Sequence, residues 1–72
     1  MDLPMYCIVG RRPVKLIATE TGGTDVLAYN WETGEFQREM SYLTTVLMGE
    51  GEVDYVSEQE FNSFVTQLQN KK

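Results

Sequence analysis

The stretch SEQEFNSFVTQLQ, residues 57–69, constrains the fold more than any other part of the chain. Phe61, Phe64, Val65 and Leu68 recur at i, i+3, i+4 and i+7, which gathers them into one stripe on an α-helix. Ser57 and Glu60 complete an S-x-x-E box, in which each side chain satisfies the other's free backbone N–H at a helix start. A short helix of this kind draws its stability from burial of its stripe rather than from propensity. The preceding residues must therefore supply a layer to cover it.

Those residues read as strands. MYCIV, from Met5 to Val9, is a short β-rich run closed by Gly10. GRRP then reads as a turn, with Arg11 and Arg12 at a solvated tip and Pro13 pushing Arg12 towards an extended conformation. VKLIATE starts a second strand at Val14, with Val14, Leu16 and Ala18 on one face, and TGGTD reverses the chain. DVLAYNW and EFQREM follow as a hairpin. A four-residue loop over 32–35 sets Trp31 opposite Phe36 and collects Leu27, Tyr29, Trp31, Phe36 and Met40 on one side. The other side, with Val26, Ala28, Asn30, Gln37 and Glu39, is expected to be mostly wettable.

From Ser41 the period becomes helical. Leu43, Val46 and Leu47 share a face, Ser41 is placed to cap, and Gly49 to stop, giving about two turns. EVDYV is a fifth short strand. Strands grouped ahead of helices, rather than alternating with them, predict an α+β fold. The expectation is one domain over 1–72: an antiparallel meander of four to five short strands with a short helix, and a C-terminal amphipathic helix packed on one face. An SH3-like small barrel with an added helix is the alternative, because short strands joined by tight turns can also curl closed.

GEGEVDYVSEQEF, residues 49–61, holds five carboxylates: Glu50, Glu52, Asp54, Glu58 and Glu60. Glu50, Glu52 and Asp54 have the spacing that opens a calcium loop, but Tyr55 and Phe61 stand where that loop needs Gly and a bidentate Glu. Zinc or another transition metal would want His or several Cys. The structural account covers every acid. Glu52 and Asp54 lie on the wet side of a strand whose Val53 and Tyr55 point inward. Glu58 and Glu60 sit at the positive end of the last helix, and Lys71 and Lys72 at its negative end. Glu50 lies in a loop between glycines.

Other chemistry is sparse. The chain has no His, so no Ser–His or Cys–His pair can form, and no enzymatic activity, metal or cofactor is expected. Cys7 is the only cysteine, which excludes an intrachain disulfide and suits a small buried side chain. No leader-like segment or long apolar run is visible, so the expected location is cytoplasmic and away from membranes.

The net charge of −5, with six basic residues, argues against a nucleic-acid partner. The leading expectation is a small protein-binding module or accessory subunit whose acidic surface (Glu50, Glu52, Asp54, Glu58) meets a partner with a basic surface, joined by Trp31. The alternatives are a weak nucleic-acid or anion binder through Arg11, Arg12 and Lys15, and an acidic decoy. A homodimer is a further expectation, since a meander leaves an open edge and the second strand has little guard beyond Lys15.

Overall fold

The fold is known from a computed structural model that describes residues 3–49 and 51–70. Five strands come in the order β1 (Met5–Val9), β2 (Arg12–Ala18), β3 (Thr24–Asn30), β4 (Glu35–Arg38) and β5 (Val53–Val56). Helix α1 (Tyr42–Met48) precedes β5, and α2 (Glu58–Asn70) ends the described chain. The strands form one antiparallel sheet in the spatial order β4-β3-β2-β1-β5. The α+β meander is therefore present, and its fifth strand returns beside the first. The sheet is open, with β4 and β5 as its edges, rather than closed as a barrel. The second strand lies between β1 and β3 and has no edge to guard.

Local chemistry explains the turns. β1 and β2 are joined by the two residues Gly10 and Arg11, with Gly10 at φ 64° as the first position of a type II′ hairpin demands. That tight turn draws Arg12 and Pro13 into β2, which starts two residues earlier than the sequence pattern suggests. Pro13 is tolerated because its fixed φ suits an extended chain, and pairing with β3 begins only at Val14. The β3–β4 loop has four residues, as expected, but runs from Trp31 to Gly34. The Asn30 side chain accepts the Glu32 N–H at 2.8 Å and the Asn30 carbonyl accepts the Gly34 N–H at 2.8 Å, so the chain turns one residue early. Tyr29, not Trp31, then pairs with Phe36. Because the slip is two residues, the faces are preserved. Trp31 and Met40 lie outside the strands and are exposed.

Both faces of the sheet are buried. One carries Cys7, Val14, Leu16, Val26 and Ala28, which pack with Val46 of α1 and are flanked by Tyr42 and Leu43. This corrects the expectation of a wettable side: Val26 and Ala28 lie under α1, which crosses the sheet on its way from β4 to β5. The opposite face carries Tyr6, Ile8, Pro13, Tyr29 and Phe36 and receives α2. Phe61 lies with its ring 5.0 Å from that of Tyr6 and 5.6 Å from that of Phe36, so the predicted stripe meets the predicted face.

The two helix starts differ. At α2 the Glu60 N–H donates to Ser57 Oγ at 3.2 Å and the Ser57 N–H reaches Glu60 Oε1 at 3.5 Å, the expected reciprocal box. At α1 Ser41 does not cap. Its backbone is already helical (φ −61°, ψ −24°), and its hydroxyl donates to Glu39 Oε1 at 2.8 Å instead. Gly49 ends α1 at φ 67°, as expected, its N–H donating to the Thr45 carbonyl.

Candidate functional site

The outer edge of β5 is one of the two edges of the sheet. The Gly10 N–H donates to the Glu52 carbonyl at 2.8 Å, which extends the β1–β5 ladder one step past Val53. In an antiparallel ladder, residues turn their backbone groups inward and outward alternately. Glu52, Asp54 and Val56 thus face β1, and Val53 and Tyr55 face away from the sheet. The Val53 N–H is held by the Gly51 carbonyl at 3.2 Å. Among the described residues, no strand pairs with the outward N–H and C=O of Tyr55.

Side chains alternate along the same edge. Asp54 lies opposite Ile8 on the α2 side of the sheet, and Glu52 continues that alternation; both are exposed. Glu58, in the first turn of α2, is also exposed, and its Oε2 accepts the Tyr6 hydroxyl at 2.8 Å. That bond, together with partial burial and the negative carboxylate, raises the Tyr6 pKa above its ordinary value. Val53 and Tyr55 face the α1 side. Val53 packs on the core, but Tyr55 is 55 % exposed, its ring lying at the margin of α1 with its hydroxyl donating to the Val46 carbonyl. Leu47 and Met48, in that same last turn of α1, are 48 % and 68 % exposed. Tyr55 was expected to point inward and Leu47 to share the apolar face of α1, so their exposure is a correction. A signal was available: three successive apolar residues on a seven-residue helix cannot all face one sheet at a period of 3.6.

The carboxylates of this segment spread rather than converge. Among the described residues, no three Asp, Glu or Cys side chains come together as a metal ion would need. Glu50, Lys71 and Lys72 lie outside the described residues.

Arg12 and Trp31 meet elsewhere, at the far end of the α1 face. The Arg12 guanidinium carbon sits 4.6 Å from the Trp31 ring centroid and 5.9 Å from that of Tyr42, and Nη1 donates to the Tyr42 hydroxyl at 3.1 Å. Arg12 is therefore no solvated tip: it is half-buried and ties β2 to the β3–β4 loop and to the start of α1. A cleft of about 330 Å³ beside it is lined by Asn30, Trp31, Glu32, Gln37 and Glu39 among others. Trp31 remains 44 % exposed. Lys15 points to the opposite face, over the Phe36 ring at 4.7 Å, and Arg11 sits exposed on the turn. The three cations of residues 11–15 thus do not form one patch.

Cys7 is fully buried, with Sγ donating to the Val14 carbonyl at 3.2 Å, and burial pushes its thiol up to about 11. No helix among the described residues is long and apolar enough to cross a membrane. Comparisons of the chain with protein-family models, with curated proteins and with solved structures find no match.

Proposed function

We propose that this chain is a small non-enzymatic, cytoplasmic protein-binding module or accessory subunit, and that it meets a partner with a basic surface along the outer edge of β5. One observation carries this reading. The edge has exposed Glu52, Asp54 and Glu58 along one side and exposed Tyr55 along the other, where its hydroxyl reaches the last turn of α1, the turn that also carries the exposed Leu47 and Met48. Clustered exposed apolar side chains rimmed by charge are a feature of interaction surfaces. The acids would speed encounter and select partners, and the apolar side chains would supply the area that holds them. A chain without His whose single cysteine is a buried, high-pKa thiol offers no ready thiol or imidazole nucleophile.

The test compares the intact chain with a Glu52→Lys/Asp54→Lys double variant as bait in native lysate, at low salt and at about 0.5 M salt, where the Debye length falls to roughly 4 Å. A partner lost in the variant and weakened by salt is the expected result. Equal recovery under all four conditions would refute charge-guided binding at this edge.

A further inference from the structure

We infer that the partner is bound as an added β-strand on the outer edge of β5: an extended segment in which apolar residues alternate with Lys or Arg. This inference rests on the protein-binding reading above and specifies the form of the ligand. The backbone supports it first. Tyr55 turns both its N–H and its C=O away from β1, and Val53 adds an outward C=O, so an incoming strand finds ladder positions already in phase.

The side chains then set the sequence of the guest. Cross-strand neighbours share a face. Guest residues on the α1 side would lie against the exposed Tyr55 ring and should be apolar. Guest residues on the α2 side would lie against Asp54, with Glu52 towards one end, and should be basic. Since β5 has four residues, the guest needs only about four to six, the common strand length.

A second copy of this chain fits the edge poorly. Antiparallel self-pairing centred on Asp54 sets two Asp54 side chains directly opposite. Moving the centre to Val53 sets Asp54 against Glu52, and moving it to Tyr55 brings Glu52 towards Glu58. Every register juxtaposes acids, which destabilises a strand pair, and each protomer already carries −5. The acids thus disfavour self-pairing and favour a basic guest at once. β4 offers no such selection. It carries Glu35 and Arg38, and Arg38 is paired with Asp25 at 2.8 Å.

The experiment uses the isotopically labelled intact chain and three synthetic peptides at low salt. One alternates Val and Lys, a second holds the same residues with the lysines grouped at one end, and a third is the alternating peptide with its β5-facing amides N-methylated. Chemical-shift titration gives affinities, and amide exchange reports which backbone groups become protected. The expected result is tightest binding by the alternating peptide, at least about tenfold above the other two, with exchange slowed at Tyr55 and unchanged at β4. If the alternating and grouped peptides bind equally and Tyr55 exchange does not change, strand addition is wrong while charge-guided binding survives. If neither binds, the protein-binding reading falls with it. Protection at β4 in place of β5, or a dimer in sedimentation, would also overturn the assignment.

Discussion

On one side the sheet meets a helix through small and aliphatic side chains; on the other it meets one through rings. Under α1 lie Cys7, Val14, Leu16, Val26 and Ala28, met by Val46 of the helix itself, and the interface is closed by many modest contributions. Under α2, Phe61 sits between Tyr6 and Phe36, and Phe36 meets the edge of Tyr29 at 5.6 Å. Aromatic side chains bury large areas and add a geometric preference worth roughly 0.5–1.5 kcal/mol per pair. The α2 interface therefore concentrates its stability in a few residues, while the α1 interface distributes it. The helices are started differently as well. α2, with a good capping box, needs little help to begin, whereas α1, seven residues long and uncapped by Ser41, depends on what lies beneath it.

The sharpest way to break this contrast is truncation at each interface. Phe61→Ala should cost about 3–5 kcal/mol and Val46→Ala about 2 kcal/mol in chemical denaturation, from lost burial and the cavity left behind. Equal costs would mean that the ring cluster has no special weight. The next effect is at the caps. Ser57→Ala should lose about 1 kcal/mol, whereas Ser41→Ala should sit near zero because no cap bond is lost. A comparable loss at Ser41 would show that α1 is capped in solution after all.

The smallest effect is a titration. The Tyr6 pKa is raised by its bond to Glu58, so the stabilisation from that bond is complete below the ordinary tyrosine range and fades as pH rises through the elevated value. Nuclear magnetic resonance titration followed at the Tyr6 ring should find it ionising late, and Glu58→Gln should lower its pKa towards the ordinary value. A Tyr6 that titrates normally in the intact chain would contradict the bond.

The α2 side was legible in the sequence because its signals are local and agree. The 3.6-residue stripe, the Ser57/Glu60 box and the alternation through Tyr29 and Phe36 all point to one interface. The α1 side was not. Its face is written in Val26 and Ala28 among Asn30, Gln37 and Glu39, too few and too small to read as core, and its cover depends on where a connecting segment crosses. Of the candidate site, Glu52, Asp54 and Glu58 were legible as exposed acids. The apolar half was not, since Tyr55 alternates inward as predicted yet lies at an edge where α1 ends before covering it. Trp31 and Arg12 were singled out separately. Their pairing required the early turn set by Asn30, a side-chain bond that no periodicity reports.

The place of β5 also governs how the chain can mature as it is synthesised. Tyr6 and its neighbour Val56 lie far apart in the chain, so β1 to β4 can zip through local hairpins while the outer side of β1 still waits for β5. The segment that carries β5 and α2 then completes the sheet and covers its second face together. Docking of that segment covers the edge of β1 and moves the exposure outward, to β5 itself.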